Sequence, residues 1–378
     1  MPDKAVLFIS TMGADAACEE LWSRTASDLS RQGIPVSASV NGWPPDHWRM
    51  QELKGAGVHV QSRPTHYTLW KRGWHYIFFR GMPKSLLQIE KLLLGGLPEL
   101  VVFNEGFPYP PIELIELCIS KKLPFVTIAH GNYEEMWPFD ATAARYRQAF
   151  AMARRCFFVS KAVLRLVEKH IGCELTNAEI VWSQCNVDFD ASLTWPNSNL
   201  DGELRLASVA RLDPPTKGQD ILLEALARPV WTNRSWHLSF YGDGAMRDTL
   251  ERFAARLGLS DRVTFAGHVV VEEIWSTNQV LVMPSRHEGL PHAVIEAMIC
   301  GRPVLATDVG DHSEIIVDGV TGFLAGPPTV ASVAEGLERL WANQANLENM
   351  GRASAKRIRE LVPADPISVF SEKIKHLL

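Results

Sequence analysis

The chain has 378 residues, more than a usual single domain, and this length predicts two domains. Its 46% hydrophobic and 21% charged residues are ordinary for a soluble globular protein. A net charge of −5 argues against a general nucleic-acid binder, because such proteins carry a basic surface.

The cysteines and the N-terminal sequence indicate the compartment. The six cysteines form no Cys-x-x-Cys pair and no spacing typical of metal ligands, so we expect neither a metal site nor a disulfide framework. The apolar run in MPDKAVLFIS is too short for a signal peptide. No segment reaches the roughly 18 to 20 apolar residues of a membrane span. We therefore expect a cytoplasmic protein, and association with the inner face of the membrane stays open.

The first half of the chain alternates short apolar runs with helix-length segments. Val6–Ser10 is a buried-strand pattern, followed by a turn at Gly13 and a helix that ends near Gly33. Further apolar runs and helical segments follow: Leu100–Phe103, Phe125–Ala129 and Cys156–Val159, with helices at Lys84–Leu94 and Lys161–His170. Continuous apolar strands separated by helices predict a parallel sheet that is covered on both faces. We assign residues 1–185 to this first Rossmann-like domain.

The alternation then stops and starts again. Asn186–Gly202 is rich in Asn, Asp, Ser, Gly and Pro and is interpreted as the connection between domains. A second set of apolar strands begins at Leu204–Val209 and defines a second Rossmann-like domain over residues 203–362. A last helix over residues 366–378 is expected to dock on the first domain. The predicted fold is α/β, with two parallel-sheet domains facing a central cleft and ligands bound beyond the carboxyl ends of the strands.

The first loop of interest after a strand follows Val280–Met283. Pro291 fits the first position of a helix, so the backbone N–H groups of Gly289 and Leu290 should lie at its positive end, which carries a partial charge of about 0.5. Such an end can receive a diphosphate. Glu288 lies on the loop and Glu296 about two turns further along. The plain alternative is a surface helix with two solvated glutamates.

Two cations follow the strand Leu204–Val209. Arg211 and Lys217 flank a Pro-Pro turn, and a pair of positive charges suits a diphosphate leaving group. The alternative is that both side chains are solvated. Two cations at the mouth of the same predicted cleft favour the first interpretation.

Three further positions depend on weaker patterns. Gly242–Gly244 (GDG) ends a predicted strand, and its small residues allow a close approach of the backbone; Gly-Asp turns are also common without function. Gly13 is a single glycine after the first strand, which fits either a phosphate loop or a simple turn. His130 follows Phe125–Ala129 and could form hydrogen bonds there, although most single histidines are structural.

Together these residues resemble the retaining glycosyltransferases of the GT-B fold in the glycogen-synthase-like group called family 4, or group 1. The resemblance is densest over residues 204–326 and is carried by an E-x7-E pair, an Arg…Lys-Gly element, the GDG turn and the run RPVLATDVGDHSEIIVDGVTGFLA. In the N-terminal half it consists of a similar organisation and a few matching positions, including Gly13, His130 and Ser160.

The resemblance implies a role for each residue at the donor phosphates. Arg211 and Lys217 would hold the diphosphate, together with the backbone N–H groups of Gly13, Gly289 and Leu290. No metal ion and no cofactor would be needed beyond the nucleotide-sugar substrate, linked to UDP or GDP.

The remaining roles concern the sugars. Glu288 would bind hydroxyls of the donor sugar, Glu296 would accept hydrogen bonds from the ribose, and His130 would meet the sugar or the acceptor. Gly242 would lie against the donor. The chain departs from the family pattern at three places: Ala14 follows Gly13 where a glycine pair is common, SQCNVD replaces the usual PNGVD, and Asp311 replaces a frequent glycine.

The implied activity is transfer of a sugar, with retained configuration, to a hydroxyl of a saccharide or a lipid-linked saccharide. We expect it in surface polysaccharide or glycoconjugate synthesis, with the acceptor bound by the first domain. The segment Trp70–Arg80 mixes aromatic and basic side chains, which fits either a membrane-facing patch or the rim of a cleft. The alternative functions are a GT-B nucleotide-sugar 2-epimerase and a non-catalytic nucleotide-sugar-binding partner. No protein nucleophile is obvious from the sequence. The pattern does not identify the nucleotide base, the donor sugar, the acceptor or the oligomeric state.

Overall fold

The computed structural model describes residues 6–63, 89, 93, 98–131, 133–196 and 202–378. The chain divides into two compact units, residues 1–184 with 365–378 and residues 185–364. The predicted Trp70–Arg80 patch, and the predicted helix Lys84–Leu94 apart from Ile89 and Leu93, lie outside the described residues.

The first unit is built on a seven-stranded parallel sheet with the strand order β3-β2-β1-β4-β5-β6-β7. Its strands are β1 (Val6–Ser10), β2 (Val36–Asn41), β3 (His59–Arg63), β4 (Leu100–Glu105), β5 (Phe125–Ala129), β6 (Arg155–Phe158) and β7 (Ala178–Ile180). Successive side chains of a strand point to opposite faces. Accordingly, Leu7 and Ile9 enter one buried apolar cluster, and Val6 and Phe8 enter another. Both faces are therefore covered, which is why these strands are continuously apolar in sequence.

The described helices of this unit are α1 (Glu19–Arg31), α2 (Trp48–Gly55), α3 (Ile112–Ser120), α4 (Asp140–Met152), α5 (Lys161–Ile171) and α14 (Pro366–Lys375). Local signals fix the ends of α5, since the Ser160 side chain accepts a hydrogen bond from the Val163 amide at 3.1 Å and Gly172 ends the helix with a φ of 67°. The last helix, α14, packs in this unit. Its Phe370 is buried edge-on against Phe157, with ring centroids 5.0 Å apart.

The second unit contains a six-stranded parallel sheet with the order β10-β9-β8-β11-β12-β13. Its strands are β8 (Leu204–Val209), β9 (Trp236–Tyr241), β10 (Val263–Gly267), β11 (Val280–Met283), β12 (Val304–Ala306) and β13 (Gly322–Leu324). Its helices are α6 (Pro214–Lys217), α7 (Gln219–Leu226), α8 (Arg247–Arg256), α9 (Val271–Thr277), α10 (His292–Ile299), α11 (His312–Ile315), α12 (Val330–Ala342) and α13 (Leu347–Leu361).

The segment predicted as the connection, Asn186–Gly202, is held to the second unit over its described part. Arg359 donates to the backbone oxygens of Phe189 and Ala191, and Arg302 donates to that of Thr194. These hydrogen bonds from two guanidinium groups fix in place a segment that has no periodic apolar residues.

Each sheet reverses its strand order at one point, and this determines which loops meet. In the first unit the reversal lies between β1 and β4, and in the second between β8 and β11. Strands that are parallel neighbours end at the same edge of the sheet. Loops that are some seventy residues apart in sequence, after β8 and after β11, are therefore brought side by side, where α/β folds usually bind ligands.

Candidate active site

The loops after β8 and β11 are joined by direct hydrogen bonds. The backbone amide of Arg286 donates to the backbone carbonyl oxygen of Thr216 at 2.8 Å, and its guanidinium donates to that of Pro214 at 2.7 Å. The same guanidinium forms two parallel hydrogen bonds with the Asp220 carboxylate, at 2.7 and 2.8 Å. A two-pronged arginine bond of this kind fixes orientation as well as distance. The turn that carries Lys217 is thus held against the loop that carries Glu288.

Lys217 and Glu288 form a buried ion pair at this junction. The Lys217 Nζ lies 2.8 Å from Oε1 and 3.0 Å from Oε2 of Glu288, and Ser285 Oγ donates to Oε1 at 2.6 Å. The side chains are only 21% and 5% exposed. Burial acts to raise the pKa of Glu288, but the Lys217 charge and these hydrogen bonds bring that pKa below its ordinary value. Glu288 is therefore an ionised carboxylate at neutral pH, able to accept hydrogen bonds and not to donate them.

A third loop, after β12, supports the Glu288 loop from the other side. Thr307 Oγ1 donates to the backbone carbonyl oxygen of Ser285 at 2.6 Å, and His312 Nδ1 lies 2.7 Å from the backbone carbonyl oxygen of Thr307. Burial lowers the pKa of His312, so its ring is neutral and Nδ1 carries the proton that Thr307 accepts. At Gly310 (φ 59°) an added Cβ would lie 2.8 Å from the Glu288 oxygen, so only glycine fits. Thr307 and His312 were missed from the sequence, where only their place after an apolar strand marks them.

The amides of Gly289 and Leu290 lie where the sequence predicted, just before α10. Within the described residues, neither amide donates to a protein acceptor. The prediction that Pro291 is the first helical residue is wrong by one position. Pro291 caps the helix with a ψ of 78°, and its oxygen accepts from the Val294 amide at 2.9 Å. The positive end of α10 is unchanged by this shift.

Glu296 is buried like Glu288 but has different partners, and its pKa shifts in the opposite direction. It is buried on α10, and its Oε1 accepts a hydrogen bond from the Asn186 amide at 2.9 Å. Burial raises the pKa of Glu296 to about 7, and hydrogen bonds from Asn186 oppose this only in part. The two glutamates of the E-x7-E pair are therefore not equivalent acids. The predicted contact of Glu296 with a ribose stays a prediction.

Arg211 is the exposed member of the set. Its side chain is 65% exposed and its Nη2 lies 2.6 Å from Asp213 Oδ2. Gly242 has a φ of 119°, and a Cβ added there would lie 2.3 Å from the Ala210 oxygen. The close approach of two loop backbones thus explains why this position is a glycine. Its predicted contact with the donor stays a prediction.

The first unit contributes His130 and Gly13 at the carboxyl edge of its sheet. His130 Nε2 lies 2.8 Å from Asn104 Oδ1. A Cβ added to Gly13 would meet no atom within 4 Å, and its φ is not positive. Packing within the described residues therefore does not require a glycine there.

Beneath these residues lies a buried polar cluster that was not found from the sequence. Thr11 donates to the Glu105 carboxylate, and Arg63 donates to Ser39 Oγ at 2.6 Å. Burial raises the pKa of Glu105 to about 8 and that of Glu19 to about 7. In the sequence, Glu19 resembles any acidic residue in the first turn of a helix. Glu105 could have been singled out by its place two residues after the apolar run Leu100–Phe103, where a strand of a parallel sheet ends.

The part of the chain that the structure describes contains no cluster of three or more His, Cys, Asp or Glu side chains suited to hold a metal ion. Among the helices described, none combines the length and the apolar character needed to cross a bilayer.

Residues 203–343 match the family described as glycosyl transferases group 1. The chain is 33% identical over 142 residues to the alpha-D-kanosaminyltransferase of Streptomyces kanamyceticus, covering 37% of each protein. It is 26% identical over 265 residues to the uncharacterized glycosyltransferase MJ1607 of Methanocaldococcus jannaschii, covering 65% of this chain and 67% of the relative. The chain thus spans well under half the length of the first relative.

Two solved structures share the fold across nearly the whole chain. Anabaena Alr3699/HepE, in complex with UDP, superposes with a TM-score of 0.74 at 17% identity and covers 98% of this chain and 99% of that one. WaaG, a glycosyltransferase involved in lipopolysaccharide biosynthesis, superposes with a TM-score of 0.67 at 19% identity and covers 98% of both chains. The predicted GT-B fold and the resemblance to group 1 glycosyltransferases are confirmed.

Proposed function

We propose that this chain, which carries a group 1 glycosyltransferase domain in its second unit, transfers a sugar from a nucleoside diphosphate sugar to an acceptor hydroxyl. The acceptor is a saccharide or a lipid-linked saccharide, in surface polysaccharide or glycoconjugate synthesis. The observation that carries the proposal is the buried Lys217–Glu288 pair beside the amides of Gly289 and Leu290. It joins a cation, two N–H donors and an ionised carboxylate in one site.

The cation and the amides suit the leaving group. Negative charge grows on the nucleoside diphosphate as the bond to the sugar breaks, and fixed donors in a partly buried site stabilise that charge. Lys217 and the amides at the start of α10 are such donors. Arg211 adds a second positive charge when the diphosphate replaces Asp213 as its partner, which is easy for a side chain that is 65% exposed.

Glu288 suits the sugar. Its carboxylate accepts hydrogen bonds, and a donor sugar offers hydroxyl protons to it. Because the pKa of Glu288 is lowered, we assign it to sugar binding rather than to proton donation. The proton of the acceptor hydroxyl passes to the leaving phosphate oxygen, and the acceptor attacks from the same face, so that the configuration is retained. We assign no protein nucleophile.

The finer points of the proposal come from the family resemblance. Retention, family 4 membership, independence of metal ions and the absence of a further cofactor are properties of the enzymes that this chain resembles. The complex of HepE with UDP supports a uridine nucleotide, and GDP is the alternative. We assign acceptor binding, with His130, to the first unit. A lipid-linked acceptor would bring the protein to the inner face of the membrane.

Thermal unfolding in the presence of UDP, GDP, ADP and their sugar conjugates tests donor binding, since a ligand of the native state raises the melting temperature. Incubation with the radiolabelled sugar conjugate that binds, with and without EDTA, then tests transfer. The proposal is supported if the sugar is transferred to an acceptor in equal amount with and without EDTA, and if NMR shows that the product keeps the anomeric configuration of the donor. Epimerised donor alone would identify a 2-epimerase, and binding without any product would identify a non-catalytic partner; either result overturns the proposal.

A further inference from the structure

A chain of hydrogen bonds runs beneath His130 in the first unit. Because β4 lies between β1 and β5, Ser10 pairs with Asn104 and His130 follows close by. Asn104 Oδ1 lies 2.8 Å from His130 Nε2, and Asn104 Nδ2 lies 3.0 Å from Glu19 Oε1. Ser10, Glu19 and Asn104 are fully buried, whereas His130 is half-buried.

The other partners of Glu19 determine which group donates and which accepts in the hydrogen bonds from Glu19 through Asn104 to His130. Trp22 Nε1, which can only donate, lies 2.8 Å from Oε2. Ser10 Oγ lies 2.7 Å from Oε1 and accepts the Met12 amide at 3.2 Å, so its own proton points to Glu19. A carboxylate that receives these donors faces the NH₂ group of Asn104 and not its oxygen. The Asn104 oxygen must therefore face His130.

We propose that Glu19 and Asn104 are positioning residues that hold His130 in the tautomer with its proton on Nε2. The proposal rests on the proposed function for its importance, because His130 is there assigned to the sugar or the acceptor. In the neutral ring so held, Nδ1 carries the lone pair. In this tautomer Nε2 donates to Asn104, and Nδ1 is the ring nitrogen that can accept a hydrogen bond from a hydroxyl.

The tautomer is measured directly in the full-length protein without substrate. In protein labelled with ¹⁵N-histidine, the two ring nitrogens of each tautomer differ in chemical shift and in coupling to the ring protons, and loss of one signal set in His130→Gln assigns His130. Spectra are recorded above neutral pH, because burial raises the pKa of Glu19 to about 7. We expect the Nε2–H form alone in the wild type and a mixture of tautomers in Glu19→Gln and Asn104→Ala.

Glu20→Gln is the matched control. It makes the same change at the adjacent, also buried position of α1, where the carboxylate pairs with Arg49 at 2.6 Å and not with Asn104. Its histidine spectrum should equal that of the wild type. The proposal would be overturned by an Nδ1–H form of His130 in the wild type, or by the wild-type tautomer in both Glu19→Gln and Asn104→Ala. If Glu19→Gln does not fold by circular dichroism, Asn104→Ala alone decides by the same criterion.

Kinetics separate positioning from simple loss of structure. We expect kcat to fall about tenfold in Glu19→Gln, the equivalent of one well-formed hydrogen bond, while the KM for the donor changes by less than about twofold. If a variant showed a mixture of His130 tautomers but an unchanged kcat, the hydrogen bonds from Glu19 through Asn104 to His130 would have no role in transfer. If the protein transferred no sugar at all, the proposed function would fail, whereas the tautomer experiment would still test the positioning of His130.

Discussion

Replacing Lys217 by methionine tests whether the buried ion pair is both a structural and a functional element. Methionine keeps most of the chain length and removes the charge, leaving the Glu288 carboxylate buried with Ser285 as its nearest donor. Removing one partner of a buried pair costs about 3–5 kcal/mol, because the other charge is left uncompensated. Since Lys217 is 21% exposed, water can replace part of its contribution. We therefore expect the second unit to lose about 2–4 kcal/mol at neutral pH.

The loss must depend on pH in a defined direction. The folded pKa of Glu288 is below its ordinary value of 4.5 in the wild type, so the pair stabilises the fold above that value and the stabilisation is lost as the pH falls through the folded pKa. In the variant, burial without Lys217 raises the pKa, and the folded state gains a proton as the pH falls. The difference in free energy of unfolding between the two proteins should therefore shrink on acidification.

Hydrogen exchange measured by mass spectrometry gives this free energy for the second unit alone, from the central strand Val280–Met283. Arg352→Met is the control, because its exposed pair with Glu348, 3.0 Å apart on one helix, should contribute only about 0.3–0.5 kcal/mol. The double variant Lys217→Met/Glu288→Gln should recover part of the loss. A loss that does not vary with pH, or a double variant less stable than Lys217→Met, would refute the reasoning. We also expect Lys217→Met to lower kcat by about 10²–10³-fold.

Gly218→Ala should destabilise the second unit by more than about 1 kcal/mol in urea unfolding, because its φ is 67° and an added Cβ would lie 2.0 Å from the Pro284 oxygen. Gly13→Ala should leave urea unfolding unchanged, since its Cβ meets nothing within 4 Å, but should raise the KM for the donor if that loop contacts the phosphates. Because burial raises the pKa of Glu296 to about 7, its carboxyl should make stability fall as the pH rises from 4.5 to about 7, and Glu296→Gln should remove that contribution, so that melting temperatures over this pH range fall less than in the wild type. Arg211→Ala should raise the donor KM and leave urea unfolding unchanged, because the Arg211 side chain is 65% exposed; loss of the folded state in this variant would contradict this.

The sequence predicts the sheets well because burial on both faces requires unbroken apolar strands. It also predicts that Lys217 and Glu288 serve one site, because each follows such a strand. It does not predict that they contact each other. That contact depends on β8 and β11 being neighbours in the sheet. The pattern of apolar residues within each segment does not determine the order of the strands.

The polar residues of the first unit show a second limit. Glu19 looks like an ordinary solvated acid at the start of a helix, and α1 does begin there. Its full burial results from strands far away in the sequence, which bring Ser10 and Asn104 to the same edge. Periodicity identifies a buried face by its apolar residues, so a buried carboxylate with polar neighbours escapes it.

The return of α14 to the first unit has a consequence for folding during synthesis. Residues 185–364 are made between two parts of one hydrophobic core. Until the ribosome has released the last helix, Phe157 and its neighbours on that face of the sheet lack the cover that Phe370 and Ile374 provide. We therefore expect the first unit to complete its core only after the second unit has been synthesised, and this apolar face to stay uncovered until then.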